Sequence, residues 1–251
     1  MNYGEISNLG QHRLMCGDAT KPDDVAKLIN DEKIDLVLTD PPYGMKISAG
    51  YDSFRGGGLF ARDYEKEKQR YNQSHYRKII GDNSTDTARL HYEVIKNITE
   101  NIIFWGGNFF SDFLPVNKGW LVWHKHQTLQ NHSDCELAWT SIKTPVRLYS
   151  QIWNGAIREG SNTLNPRPAL HLSQKPVELH TRILEDFSKP GDIILDCFGG
   201  SGTTLIACEI TNRKCLIMEI SPEYCEIIKS RWENLMPLFN KNNSMKKAAG
   251  V

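Results

Sequence analysis

Ile194-Leu195-Asp196-Cys197-Phe198-Gly199-Gly200-Ser201-Gly202-Thr203-Thr204 runs from an apolar, strand-like segment through glycines into a helix-forming one. A buried strand that turns on glycines into a helix is a building unit of an α/β fold with a mostly parallel sheet. The glycines let backbone approach a ligand closely, and the helix start offers N–H groups with no partner inside the helix. The spacing departs from G-x-G-x-x-G because position 205 is Leu, and no Lys follows the glycines to make a P-loop. A dinucleotide or nucleoside triphosphate is therefore a poor fit.

Working outward, the next apolar run ends in Met218-Glu219-Ile220. In nucleoside-binding α/β folds an acidic residue at this place takes the ribose hydroxyls. Alone, Glu219 would read as a solvated strand end. Behind the glycine turn it suits a nucleoside whose far end is not a pyrophosphate, and S-adenosyl-L-methionine is the candidate.

The rest of the chain alternates in the same way. Strands are expected at Arg13–Cys16, Ile34–Thr39, Asn101–Trp105, Trp120–Trp123, Cys135–Thr140, Arg147–Trp153, Ile193–Cys197 and Lys214–Met218. Helices are expected at Asp23–Asn30, Thr85–Thr99, Val177–Ser188, Thr203–Thr211 and Pro222–Leu235. One catalytic domain over residues 1–239 is the organisation this implies, with a flexible basic loop at 45–80, a short basic segment at 141–172 and a disordered tail at 240–251.

The strand Ile34–Thr39 leads into Asp40-Pro41-Pro42-Tyr43-Gly44. Two prolines fix φ and remove two donors, so the carbonyls here point in set directions. A carboxylate, a rigid carbonyl and an aromatic face within four residues suit a planar group that carries an exocyclic amine. Asp40 and the Pro41 carbonyl would accept its two N–H bonds while Tyr43 stacks on its ring. An aromatic amine is a poor nucleophile, and two placed acceptors would stabilise the positive charge that develops on alkylation. The plain alternative is an Asp-capped proline turn closing a strand.

Charge does not forbid a nucleic acid. Thirty Lys+Arg balance 30 Asp+Glu, giving a formal net charge of zero. Residues 46–78, however, carry eight Lys/Arg against four Asp/Glu, and residues 143–175 carry five against one. A neutral total with two basic segments excludes a uniformly basic coat, not a DNA partner. The six cysteines show no C-x-x-C pair, and several sit in apolar runs, as free thiols in a reducing compartment do. His124, His126, His132 and Cys135 repeat no known ligand spacing, so no metal is assigned. With no signal-like start and no apolar run long enough for a bilayer, a cytoplasmic protein without a membrane partner is expected.

Together the motifs resemble the DNA amino-methyltransferases, which methylate adenine N6 or cytosine N4. Asp40-Pro41-Pro42-Tyr43 is similar to the catalytic motif, with Asp40, Pro41, Pro42 and Tyr43 as its residues. Asp196 with Phe198, Gly199, Gly200, Ser201, Gly202 and Thr203 is similar to the cofactor loop. Ser173-Gln174-Lys175-Pro176 resembles the segment opening the helix before the cofactor strand, and Cys16-Gly17-Asp18-Ala19 the turn that reaches the cofactor's adenine. Ile103-Phe104-Trp105-Gly106-Gly107-Asn108 and Cys135-Glu136-Leu137-Ala138-Trp139 look like scaffold strands. The catalytic motif precedes the cofactor motif, the order of the family's β group.

The resemblance implies a Rossmann-like, seven-stranded, mostly parallel α/β fold with helices on both faces, in circularly permuted motif order. S-adenosyl-L-methionine would be held by Asp18, Ala19, Asp40, Lys175, Asp196, the Phe198–Thr203 loop, Glu219 and Ile220. Double-stranded DNA would be the substrate, with the target base flipped, the 141–172 segment reading sequence and the 45–80 loop sharing the contact. A homodimer and a cognate restriction endonuclease are further partners it admits. Adenine N6 is favoured as the target. Cytosine N4, RNA as substrate, and a DNA-binding module without catalysis are the competing readings.

Overall fold

The computed structural model describes residues 1–45, 79–126, 133–154, 157–158 and 174–248. Most of the 45–80 loop, His132 and much of the 141–172 segment lie outside them, and so do the readings made for those stretches.

Nine strands form one sheet: β1 (Ile6–Leu9), β2 (His12–Cys16), β3 (Leu36–Thr39), β4 (Ile102–Trp105), β5 (Trp120–His124), β6 (Cys135–Thr140), β7 (Arg147–Ser150), β10 (Ile193–Asp196) and β11 (Lys214–Glu219). Their order is β1-β2-β11-β10-β3-β4-β6-β5-β7. A separate hairpin pairs β8 (Trp153–Asn154) with β9 (Ile157–Arg158). From β2 to β4 the sheet is parallel; β6 runs antiparallel to both β4 and β5.

The expected seven strands are the inner run from β2 to β5, and the count is corrected to nine by two edge strands. Ile6–Leu9 was missed because Ile-Ser-Asn-Leu is a weak strand signal. It forms because Gly10, at φ +60°, turns it back so that Leu9 faces His12 across a two-residue loop. At the other edge β7 pairs parallel to β5 and stops at Ser150, so the expected strand Arg147–Trp153 divides into β7 and the start of the hairpin.

Side-chain alternation assigns the two cores. Leu36, Leu38, Ile103, Trp105, Ile194 and Ile217 face one way, against Leu179 and Ile183 of α3 (Val177–Phe187), Leu205 and Cys208 of α4 (Thr203–Ile210), and Cys225 and Ile228 of α5 (Pro222–Ala248). Val37, Ile102, Phe104, Leu195, Leu216 and Met218 face the other way, against Val25 and Leu28 of α1 (Pro22–Ile29) and Ala88, Tyr92 and Ile95 of α2 (Asp86–Ile95). Strands covered on both faces read as continuous apolar runs, which is why these were legible.

The helix α5 continues to Ala248, through residues expected to be a disordered tail. Once a packed helix is nucleated, elongation through residues such as Lys and Ala adds one hydrogen bond per residue and needs no burial. None of the described helices is long and apolar enough to cross a membrane.

The chain places β3, which leads into the proline turn, long before β10, which leads into the glycine loop, yet the two are neighbours, with Ile194 beside Leu36. Among the described residues, the helices that follow them, α4 and α2, pack on opposite faces. A crevice opens at such a switch point, at the carboxyl ends of the strands.

Candidate active site

The crevice is a cavity of about 650 Å³. Its wall brings together Asp18 and Ala19 after β2, Asp40 to Tyr43 after β3, Lys175, Asp196 to Ser201, Thr203, and Glu219 and Ile220 after β11. These segments are scattered over two hundred residues of chain; the parallel sheet collects those at the carboxyl ends of β2, β3, β10 and β11, and Lys175 joins them from the start of α3. Gly202 stays out of the wall. It sits at φ +82° as the residue before α4, and a Cβ there would meet Ile228 at 3.1 Å, so its part is the turn.

The glycine loop is held from below. Gly199 N–H donates to the Met218 carbonyl (2.7 Å), and a Cβ on Gly199 would lie 2.9 Å from Ile217 Cγ1. Glu219 closes it from the side: Oε2 accepts from Gly200 N–H (2.8 Å) and Oε1 from Ser221 N–H (2.9 Å). Burial nevertheless pushes the Glu219 carboxyl up to about 7 against these bonds. Asp196 locks the root of the loop, accepting from Thr204 Oγ1 (2.6 Å), Phe198 N–H (3.1 Å) and Thr39 Oγ1 (3.2 Å). The last of these ties β3 to β10. Burial raises Asp196 to about 6. Asp18 folds its own turn, accepting from Thr20 N–H (2.9 Å) and Thr20 Oγ1 (2.7 Å), and Ala19 offers its carbonyl to His91 Nδ1 (2.9 Å).

The proline turn is braced from three sides. Tyr43 donates its hydroxyl to Asp40 Oδ1 (2.7 Å). Its ring lies over Gly106, where a Cβ would come within 2.3 Å of Cε1, and stacks on Phe109 with centroids 5.1 Å apart at 18°. Gly44 N–H and Met45 N–H both donate to Asp82 Oδ1 (3.0 and 3.1 Å), so a buried carboxylate beyond the 46–78 stretch anchors the end of the turn.

Lys175 sits 4% exposed in the middle. Its ammonium pairs with Asp40 Oδ2, donates to Tyr43 Oη (3.1 Å), and lies 3.3 Å from Glu136 Oε2 and 5.0 Å from the Trp105 ring centroid. Glu136 pairs in turn with Lys125. Burial raises the Asp40 carboxyl, with Lys175 pulling it down and Glu136 adding to the rise. Burial opposes the Lys175 charge as well, but Asp40 and Glu136 outweigh it and hold that ammonium above the ordinary lysine value. Burial acts on Glu136 too, and Lys175 and Lys125 overcome it and keep that carboxyl below its usual range.

Sequence reasoning missed Phe109, Asp82 and Lys125, and it took Glu136 for scaffold. Phe109 directly follows a quoted motif and Glu136 lies inside one; Asp82 and Lys125 carried no signal of spacing at all. Lys175, expected at the cofactor, touches the Asp40 carboxylate directly. His124 and His126 have ring centroids 4.3 Å apart, and among the described residues no three His, Cys, Asp or Glu are grouped as metal ligands.

The chain has relatives among known proteins. The Type II methyltransferase M.HpaI of Haemophilus parainfluenzae is 26% identical over 256 residues, covering 88% of this chain and 74% of that one. The Type II methyltransferase M2.MboI of Moraxella bovis is 26% identical, with 86% of each chain covered. Among solved structures, the cytosine-N4-specific PvuII DNA methyltransferase shares the fold at a TM-score of 0.56 and 15% identity over 96% of each chain. A putative DNA modification methylase of Thermus thermophilus does so at 0.51 and 19%, over 90% of this chain and 96% of that one. The sequence profile of the N6/N4 family, described as DNA methylase, matches residues 34–230. That span holds both the proline turn and the glycine loop, and the chain belongs to this DNA methylase family of amino-methyltransferases.

Proposed function

We propose that the protein transfers a methyl group from S-adenosyl-L-methionine to the exocyclic N6 amine of adenine in duplex DNA. The observation that carries this reading is the convergence of the Asp40–Tyr43 turn and the glycine loop on one cavity. The residues suit the cofactor. Among the described residues, Asp18, Asp40, Asp82, Asp86, Asp196, Glu219 and Glu223 line the cavity with Lys175 as its single Lys or Arg, a field that favours a cationic ligand. When bound, the cofactor supplies a sulfonium methyl as the electrophile. Glu219 and Asp18 would accept its hydroxyls and amine, and the Gly199–Gly200 backbone leaves it room.

A base inside a duplex cannot reach this crevice, so the target is flipped out. Tyr43, backed by Phe109, gives it an aromatic wall. Asp40 and the Pro41 carbonyl take the two N–H bonds of the amine, which turns its lone pair toward the methyl carbon. The nitrogen–carbon bond would form as the carbon–sulfur bond breaks, and the extra proton on nitrogen would leave to solvent after transfer. Asp40 thus acts by holding an amine that gains positive charge, and no covalent intermediate on the protein is needed. The relatives' Type II names support a cognate restriction endonuclease as a companion, and a DNA substrate supports a cytoplasmic enzyme.

The test is transfer of a labelled methyl group to mixed-sequence duplex DNA, followed by digestion to nucleosides. Label in N6-methyl-2'-deoxyadenosine is expected. Label in N4-methyl-2'-deoxycytidine would overturn the choice of base, and label in neither would overturn the activity.

A further inference from the structure

The cavity presents a problem of charge that the family motifs do not address. Asp40 is to hold an amine that becomes cationic beside a sulfonium, yet its Oδ2 already pairs with the Lys175 ammonium. A carboxylate neutralised by a buried lysine has little left for a second cation. The buried ammonium itself would repel the charge developing on the amine, strongly so where water is excluded. A second carboxylate meets that ammonium from the far side. Glu136, on β6, lies 3.3 Å from Lys175 Nζ, and its own second partner, Lys125, comes from just beyond β5. The row Asp40–Lys175–Glu136–Lys125 alternates in sign and crosses from β3 to the antiparallel part of the sheet.

We propose that Glu136 is a positioning residue for methyl transfer: by balancing Lys175, it leaves the Asp40 carboxylate available to the target amine. The inference rests on the reading of Asp40 given above. When the amine arrives at Asp40, Lys175 stays in place and shifts its charge partner from Asp40 to Glu136, with no proton moved. Lys125 keeps Glu136 ionised in the meantime. The contact of Glu136 with two ammonium groups, Lys175 and Lys125, and its place among charges instead of on the apolar core, are what distinguish this from a scaffold role.

The test is single-turnover methyl transfer at saturating cofactor for Glu136→Gln, Glu136→Asp and the double variant Glu136→Gln/Lys175→Met, with cofactor affinity measured by calorimetry. Glu136→Gln is expected to slow transfer at least about tenfold with a cofactor Kd changed by less than about threefold, the signature of an interaction needed in the transition state. Glu136→Asp should keep most of the rate. Removing Lys175 as well should bring the rate back up several-fold above Glu136→Gln, because the unbalanced cation is gone. The double variant removes the Lys175 and Glu136 charges together, so neither is left without the other, and a thermal unfolding midpoint near that of wild type checks that it is folded.

The acid limb of the rate should also move to lower pH in Glu136→Gln. Lys175 then acts on Asp40 alone, without the opposing carboxylate. A double variant no faster than Glu136→Gln, or a Glu136→Gln rate equal to wild type, would overturn the proposal. Loss of the reading of Asp40 itself would show differently, as an Asp40→Ala variant that still methylates.

Discussion

On the proposed reading, in which Glu219 takes the ribose hydroxyls, one carboxyl would couple cofactor binding to pH. Burial holds its pKa near 7, while its two oxygens each take one backbone N–H. Ribose hydroxyls donate to a carboxylate, so cofactor binding favours the ionised form. Below pH 7 the free protein keeps a proton that binding must expel, and affinity falls as pH falls. For a pKa near 7 the apparent Kd should weaken about tenfold between pH 8 and pH 6. Calorimetry across that range checks it, and Glu219→Gln should flatten the dependence while weakening binding throughout. A wild-type Kd that does not vary over the range would remove Glu219 from the ribose site.

The stability of the protein alone takes the opposite sign. A carboxyl whose pKa is raised in the folded state binds its proton before the unfolded chain does. Glu219 therefore adds stability as pH falls from about 7 toward its ordinary carboxyl value of 4.5. The same proton that steadies the empty protein opposes the cofactor.

At the scale of elements, the sheet has a working end and a holding end. Asp40, Asp196 and Glu219 lie at the carboxyl ends of their strands. Arg213 lies at the amino end of β11, 4% exposed. Its guanidinium donates to the carbonyls of Thr211 (2.6 Å), Leu184 (3.3 Å) and Ser188 (2.9 Å) and to Ser188 Oγ (3.2 Å). It thereby fastens the last turns of α3 and α4 to β11. Arg213→Met keeps the apolar stem and leaves buried carbonyls without a donor, so a loss of about 3 kcal/mol is expected. That would lower Tm by about 10 °C, read by calorimetry. The methylation rate at 25 °C should stay within about twofold of wild type; a large loss of rate in folded protein would show that the two ends are coupled.

The elements were legible where burial on both faces left continuous apolar runs, as in β3, β4, β10 and β11. The motifs at their carboxyl ends could then be placed by the rule that parallel strands gather ligands there. What was not legible lay where pairing is decided by distant partners. Ile6–Leu9 is a strand because Gly10 folds it onto β2, and Gln151-Ile152 ends β7 although the apolar pattern continues. Of the site, the residues in motifs were readable by type but not by partner. Nothing in the sequence says that Lys175 will meet Asp40 from 135 residues away, or that Glu136 will reach the same ammonium. Asp82 shows the limit most clearly, since a single Asp after a long polar stretch gives no hint that it will hold two amides of the proline turn.

For the whole molecule, neutrality is the sum of opposite parts. Among the described residues the cavity wall carries seven carboxyls and one lysine, in a chain whose basic excess is concentrated in residues 46–78 and 143–175. On the proposed reading an acidic interior draws a cationic cofactor, and the two basic segments supply phosphate contacts that position the duplex. The alternating row from Asp40 to Lys125 serves the chemistry between those two tasks. The decisive residue in all of this is Asp40, which should affect chemistry and leave binding alone. Methyl transfer by Asp40→Ala, measured beside its S-adenosyl-L-methionine Kd, is the most direct test. Transfer at least about a thousandfold slower than wild type, with a Kd changed by less than about threefold, is the expected result. An Asp40→Ala protein that binds the cofactor and still methylates DNA at a rate near wild type would contradict it.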